Sequence, residues 1–311
     1  MAEFRPGSPD QTELLEALID AGHLIPSGVD GVYGRGSDYE DVRQRFDAYV
    51  TRVATAAGET PEVMRFPPVL PRKQIEDLGY LENFPHLAGS VFAFEGSEAE
   101  ARAMAETAGR HEDWSAHQHQ SDLCLTPAVC YPVYPAVGRR GVLPAGGVTI
   151  DPGASYAFRH EPSGDPARLQ MFHMRELVRI AEPEVVQTWR DGWRDRALTL
   201  LRALGLDANF DVASDPFFGR SGRMMAASQR EQALKFEILV QIAGPEPTAV
   251  ASFNYHQDHF SGLYGIKTAD GGEAHTACLG FGHERIVLAL LKTHGLDVAG
   301  WPAPVRAELW G

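Results

Sequence analysis

Two segments of this 311-residue chain carry side chains whose types and spacing suit chemistry. The first runs Phe158-Arg159-His160-Glu161, passes a polar Pro-Ser-Gly-Asp-Pro turn and returns as Arg168-Leu169-Gln170-Met171-Phe172-His173-Met174-Arg175-Glu176. Two strands joined by a charged loop present alternate side chains to one face, because the strand period is two. Arg159 and Glu161 then share a face, as do Phe172, Glu176 and Arg168. An arginine for a phosphate, an acid for an amine and an aromatic ring for a base describe an ATP pocket. A surface hairpin with solvated charges fits the same spacing. The second segment is Gly280-Phe281-Gly282-His283-Glu284-Arg285 followed by the apolar run Ile286 to Leu291. Glycines let a strand turn tightly into a helix. Arg285 falls in the first helical turn, where a phosphate is also welcome. A Gly-x-Gly before an apolar helix is by itself a weak signal.

The chain has three cysteines, Cys124, Cys130 and Cys278. An odd, small number argues against a disulfide framework and leaves buried thiols or metal ligands. His111, His117 and His119 near Asp122 form another candidate metal set. Their spacing matches no usual site, and a polar loop is the plainer reading.

The elements that must position these residues follow from periodicity and turn signals. A short amphipathic helix is expected from Gln11 to Ala21, capped by Asp10, then glycine-rich turns at Gly28, Gly31, Gly34 and Gly36. A second helix starts after Ser37, with Val42, Phe46, Tyr49, Val50 and Val53 at helical spacing and Gly58 as its stop. Met64–Leu70 reads as a strand broken by Pro67 and Pro68, which places it at a sheet margin or interface. Ser90–Phe94, Gly147–Ile150, Ser155–Arg159 and Leu169–Leu177 are strand candidates with antiparallel texture. A long helix is predicted for Glu184–Leu204, opened by Pro183. Two strands, Ala233–Ala243 and Thr248–Tyr255, follow, and a last helix runs from about His283 to Thr293. Together these predict an α+β fold, an antiparallel sheet flanked by helices. The expected division is an N-terminal helical segment, 1–60, and a catalytic domain, 61–311, with a helical insertion near 183–230.

Composition bounds the function. Hydrophobic residues make up 44% and charged residues 23%, an ordinary globular balance. No apolar run approaches the ~18 residues of a membrane helix. Met1 to Asp10 lacks the basic and apolar start of a signal peptide, so a cytoplasmic enzyme with no membrane partner is expected. The formal net charge of −14 lowers the prior for a dedicated tRNA-binding module.

Taken together, the two segments resemble motifs 2 and 3 of class II aminoacyl-tRNA synthetases, the Arg-x-Glu, loop, Arg-x-x-x-Phe pattern and the Gly-φ-Gly-x-Glu-Arg pattern, where φ is apolar. Arg65 to Phe84 resembles their motif 1 region, which in the family forms the dimer interface. A closer resemblance is to the atypical zinc-dependent seryl-tRNA synthetases of methanogens and their short bacterial relatives, the amino acid:carrier-protein ligases. Cys130 in Leu125-Thr126-Pro127-Ala128-Val129-Cys130-Tyr131-Pro132, Glu176 closing motif 2, and Cys278 just before motif 3 stand where that family holds zinc. Zinc with three protein ligands keeps one position open, here for the α-amine of an amino acid bound partly through Glu176. On pattern alone, Cys130 and Cys278 read equally as buried small residues.

The resemblance implies that Arg159 and Arg285 are catalytic, at the α- and γ-phosphates of ATP. Phe172 stacks on adenine with Arg285 on the other face, and Glu161 accepts the adenine amino group. Arg168, Leu169, Lys235 and the strand Ala249-Val250-Ala251-Ser252 complete the expected ATP contacts. The usual magnesium ligands fall on Thr248 and Ala251, a departure from the seryl pattern; Ser252, Lys235 and Glu237 are further candidates for the phosphate and magnesium contacts, with ordinary exposed charge as the other reading of Lys235 and Glu237. Only about 60 residues precede motif 1, too few for a tRNA-binding domain. The expected reaction is therefore ATP-dependent activation of glycine or alanine and transfer to the phosphopantetheine thiol of a carrier protein. A tRNA-charging enzyme and a non-catalytic regulatory paralogue are the alternatives. A homodimer is expected through motif 1. The helix bearing Arg190, Arg194, Arg196 and Arg202 with Trp189 and Trp193 is the expected dock for an acidic carrier, through Arg190 and Arg194. Alternatively its tryptophans face the core and its arginines pair with Asp191 and Asp195.

Overall fold

A computed structural model describes residues 4–311. Residues 1–3, the start of the stretch read for a targeting signal, lie outside the described residues. The chain begins with α1 (Pro9–Asp20), and Ser8 rather than Asp10 caps it. The Ser8 hydroxyl accepts from Gln11 N–H while the Gln11 amide oxygen accepts from Ser8 N–H, a reciprocal capping box. The glycine-rich stretch forms a hairpin, β1 (Leu24–Val29) and β2 (Val32–Arg35), where only turns were expected. Gly28 and Gly31 flank its tip at φ of +87° and +74°, which L side chains resist. Helix α2 (Ser37–Ala56) follows as predicted.

Of the single strand expected at Met64–Leu70, only Val69 and Leu70 lie in one, and two short strands flank the prolines. β3 (Glu62–Val63) pairs in parallel with the main sheet, and β4 (Val69–Pro71) joins a second sheet, with Pro67 and Pro68 between them. After α3 (Arg72–Asp77) and α4 (Tyr80–Asn83) come β5 (Ser90–Ala93), α5 (Glu98–Gly109) and β6 (His119–Leu125), which complete the small sheet in the order β4-β6-β5. The main sheet begins after α6 (Val133–Gly138) with β7 (Val148–Phe158). β7 is one strand where two were predicted. An irregularity between Ile150 and Gly153 interrupts its register with β8 (Met171–Ala181). Helix α7 (Pro183–Ala203), β9 (Asn209–Val212), α8 (Gly219–Glu231), β10 (Lys235–Val240), β11 (Thr248–Gln257), α9 (His259–Tyr264), β12 (His275–Gly282), α10 (His283–His294) and α11 (Ala303–Trp310) complete the chain. The seven strands run in the order β3-β7-β8-β12-β11-β10-β9, antiparallel except β3. Among the described residues no helix is long and apolar enough to cross a membrane.

Strand alternation divides this sheet into two unlike faces. Leu177, Ile238, Phe253, Leu279 and Phe281 point to one face and are buried in a core with α2, α7 and α10. Leu14, Leu18 and Leu24 from the N-terminal segment join the same core. The intervening residues, among them Phe172, Glu176, Lys235, Ser252 and Cys278, line cavities on the other face. There the partial cover is an apolar cluster of Val133, Tyr134, Val137 and Phe260 from α6 and α9.

Phe46 of α2 ties the core to the second motif. Its ring, fully buried, meets Phe281 and His283 edge-on, both at 5.6 Å between centroids. Removing it leaves a cavity under the turn that carries Arg285. Phe46→Ala is expected to lose about 3–5 kcal/mol of unfolding free energy, measured by urea denaturation.

Candidate active site

The first motif's residues assemble from strand ends. Arg159 lies one step beyond β7, where its N–H still donates to Gln170 O at 2.9 Å and extends the ladder. Its guanidinium carbon lies 5.7 Å from the Phe172 ring centroid. Arg159, Leu169, Phe172, Lys235, the β11 residues Ala249 to Ser252, and Arg285 all line one cavity. Arg285 stands in the first turn of α10, fixed by Nε donating to Ala167 O at 2.8 Å and a terminal nitrogen donating to Ala249 O at 2.9 Å. Burial, and then the guanidinium groups of Arg168 and Arg159, lower its pKa. A buried cation facing two others is a site for a polyanion.

Glu161 and Arg168 stand outside that lining. They pair with each other at 3.7 Å, and Arg168 N–H closes a turn onto Asp165 O. Both lie beyond the strand ends, so the alternation expected to aim them with Phe172 does not reach them.

Lys235 Nζ donates to Asp215 at 2.6 Å and to Glu237 at 3.0 Å. Burial opposes its charge, but the two carboxylates outweigh burial and raise its pKa. Glu237 shares the first cavity and sits in register with Ser252 on β11, which pairs with Gly280 on β12, which pairs with Glu176 on β8. A Cβ at Gly280 would make ordinary contact with Met174 and Glu176, at 3.4–3.6 Å.

A second cavity, of about 310 Å³, adjoins the first and shares Arg159, Met174, Lys235 and Ser252 with it. Cys130, from the turn before α6, Glu176 and Cys278 meet at its floor, all buried, with one donor atom of each within 4.8 Å of the others. These residues fit a metal ion. Burial, then the Cys278 charge, pushes Glu176 up to about 8. Its Oε2 is buried with no hydrogen-bond partner. The hydrogen bond with Cys278, then burial, pushes the Cys130 thiol well up. Glu176 and Cys130 are thus held toward their neutral forms without a cation, a bound cation would favour their charged forms, and two sulfurs with one carboxylate suit zinc. Among the described residues no other trio of ligands comes as close, so His111, His117, His119 and Asp122 form no such group. His117 instead meets the Thr107 hydroxyl at 3.3 Å.

Sequence reasoning missed several groups around these cavities. Asp215, Met225 and Gln229 reach the second cavity from the α8 region, whose polar pattern gave no signal. Asn254 and His256 follow Ser252 at the strand period and could have been found by extending that alternation. Behind the sheet, Glu284 accepts from Arg35 at 2.7 Å and from the His173 backbone at 2.8 Å, with His173 Nδ1 at 2.9 Å. A larger open cleft of about 790 Å³ lies by Gly58, Thr149 and Trp189 and holds none of the motif residues.

The dock expected on α7 is corrected. Arg190 is only 6% exposed, donates to Ala233 O and Asp191, and packs on the Phe236 ring at 4.9 Å. Arg194 pairs with Asp195 and lies over Phe210 at 4.5 Å. Trp193 is fully buried, and both Trp189 and Trp193 donate to Glu59. These arginines hold the helix to β9 and β10 and present no free basic face.

The antiparallel sheet flanked by helices has the fold of a class II aminoacyl-tRNA-synthetase catalytic core. Among solved structures the chain is similar to the M. kandleri seryl-tRNA synthetase crystallised with A. aeolicus tRNASec, at TM-score 0.82 and 22% identity over 97% of this chain and 61% of that one. It is also similar to the Pyrococcus horikoshii seryl-tRNA synthetase complexed with ATP, at TM-score 0.68 and 16% identity over 99% of this chain and 64% of that one. The chain thus spans less than two thirds of these synthetases. No protein-family model matches the sequence. Two Bradyrhizobium diazoefficiens proteins match nearly end to end. Amino acid–[acyl-carrier-protein] ligase 1 is 45% identical, covering 97% of this chain and 92% of that protein; ligase 2 is 46% identical, covering 96% and 88%. The chain belongs to the amino acid–[acyl-carrier-protein] ligase family.

The polar layer behind the second motif is pH-dependent through Glu40. Hydrogen bonds from Arg43 hold its carboxyl at about 2, against 4.5 for an unperturbed group. A depressed pKa contributes stability that is present above pH 4.5 and lost as pH falls through about 2. Glu40→Gln is expected to be less stable than the parent at pH 7, with the gap closing between those two values. Urea titrations across that range measure it.

Proposed function

We propose that the chain activates a small amino acid, glycine or alanine, with ATP and passes the aminoacyl group to the phosphopantetheine thiol of a carrier protein. The observation that carries this reading is the meeting of two cavities at Arg159, one lined by cations and the other floored by Cys130, Glu176 and Cys278. An amino acid laid across the junction directs its carboxylate to the arginines and its amine to the trio. Aromatic rings of Tyr80, Phe84, Tyr131 and Phe260 wall the second cavity and favour a small side chain. The names of the Bradyrhizobium relatives supply the acceptor class.

In the first step the carboxylate oxygen attacks the α-phosphorus as the bond to the pyrophosphate bridge breaks. Arg159 neutralises charge developing at the α-phosphate, and Arg285 holds the outer phosphates. Phe172 flanks the adenine. Glu237, opposite Ser252 and one of two carboxylate residues that line the first cavity, would hold the magnesium that comes with ATP. Zinc, when bound at Cys130, Glu176 and Cys278, supplies a Lewis-acid position that takes the amine as its free base. In the second step the carrier thiolate forms a C–S bond at the carbonyl as the C–O bond to AMP breaks. A thiol with an ordinary pKa of ~8.5 needs little help to lose its proton to solvent.

A homodimer through the region of β3 is part of this proposal. β3 is the edge of the main sheet, and its Val63 is 62% exposed, an apolar edge that a second copy would cover.

Arg159→Ala is expected to cut pyrophosphate exchange about 100- to 1,000-fold while circular dichroism stays unchanged, the loss typical of one transition-state donor. Near-normal exchange would refute the assignment. Elemental analysis is expected to find one zinc per parent chain and none in Cys278→Ala.

A further inference from the structure

His256 is a residue that neither the motif reading nor the family name assigns. It lies on β11 two positions after Asn254 and lines the second cavity. The register between β11 and β12 runs Ser252 to Gly280, Asn254 to Cys278 and Tyr255 to Ala277, then jumps to Gln257 opposite Thr276. His256 is therefore the extra residue of a β-bulge, a device that re-aims a side chain at the cost of one unpaired position. Gln257, next to it, takes φ of +55°, a left-handed conformation that a non-glycine residue adopts only when its surroundings compel it.

The imidazole, on the same side of β11 as Ser252 and Asn254, faces Cys278 beside the bulge. His256 Nε2 lies 3.6 Å from Cys278 Sγ, and Nδ1 lies 3.1 Å from the Thr276 hydroxyl. The ring is clamped edge-on between Tyr134 and Phe260, at 5.9 and 4.8 Å between centroids. Asn254 Nδ2 reaches the same sulfur at 3.5 Å. His256 does not belong to the group of ligand atoms within 4.8 Å of one another, so it stands behind the ligand rather than among the ligands.

We propose that His256 is a positioning residue for the metal pocket: Nε2–H donates to the Cys278 thiolate while Thr276 O–H donates to Nδ1 and fixes that tautomer. The proposal rests on the zinc reading of Cys130, Glu176 and Cys278. Two thiolates and a carboxylate carry three negative charges against the two positive charges of zinc. Donors on one sulfur withdraw part of that excess. They hold Sγ at one angle and keep the remaining position attractive to an amine. Partners of this kind behind a ligand are typically worth 10- to 100-fold in metal affinity or activity.

The test compares the parent with Cys278→Ala, His256→Phe, His256→Gln and Thr276→Val. His256→Phe keeps the aromatic packing and removes the donor; His256→Gln restores an N–H. Zinc affinity is read by competition with a chromophoric chelator, and KM values for amino acid and ATP by pyrophosphate exchange. His256→Phe is expected to bind zinc about 10- to 100-fold more weakly and to raise the amino-acid KM, with the ATP KM unchanged. Thr276→Val is expected to shift both in the same direction by less, and His256→Gln to recover part of the loss. Parent-like zinc affinity in His256→Phe, alongside zinc loss in Cys278→Ala, overturns the role of His256 and leaves the zinc site standing. A parent chain without zinc overturns both. Equal losses in the amino-acid KM, ATP KM and melting temperature at saturating zinc would mean that the ring only packs, and would also overturn the proposal.

Discussion

Strand alternation in the central antiparallel sheet is the constraint on which everything else depends. Because neighbouring residues point to opposite faces, one set of strands builds both the core and the site. On β12, Ala277, Leu279 and Phe281 face the apolar helices, while Cys278 and Gly280 face the cavities. Register then carries the site across strands. Glu237, Ser252, Gly280 and Glu176 lie in one row, and Lys235, Asn254 and Cys278 in the next. A slip of one residue in any strand would put charges into the core and leucines into the site, so packing energy enforces the catalytic geometry.

The two cavities meet at Arg159 and Lys235 and differ in the donors at their far ends. In the proposed reading Arg159 and Arg285 hold phosphates at one end. Buried sulfurs and a carboxylate make the other end a trap for a cation. Lys235 stands between them with its charge balanced by Asp215 and Glu237. In the proposed reading an amino acid lies across this junction, its carboxylate toward the arginines and its amine toward the trio.

The core face anchors the second motif. Glu284, one residue before Arg285, is held by Arg35 from the N-terminal hairpin and by His173 from β8. Arg175 reaches Asp151 and Asp47 on the same side. These buried charges gain their stability from being paired, and losing one partner would strand the other. The N-terminal segment thus supports the site although none of its residues lines either cavity.

Much of this was legible in the sequence, and for identifiable reasons. The Arg159-to-Glu176 and Gly280-to-Arg285 patterns, the helices at α2, α7 and α10, and the α+β class follow from local periodicity, which the chain carries residue by residue. The family resemblance, not periodicity, marked Cys130, Glu176 and Cys278, and whether three residues so far apart in sequence meet within 4.8 Å is decided only by the packing of β8, β12 and the turn before α6. Long-range packing also decided the fate of α7. Its arginines read either as a basic dock or as partners of Asp191 and Asp195, and packing of Arg190 on Phe236 and Ala233, with both aspartates paired, decided for the second. The hairpin at β1–β2 and the bulge at His256 were invisible for a related reason. Each depends on a partner strand's register, and register is a property of two segments that neither segment records alone.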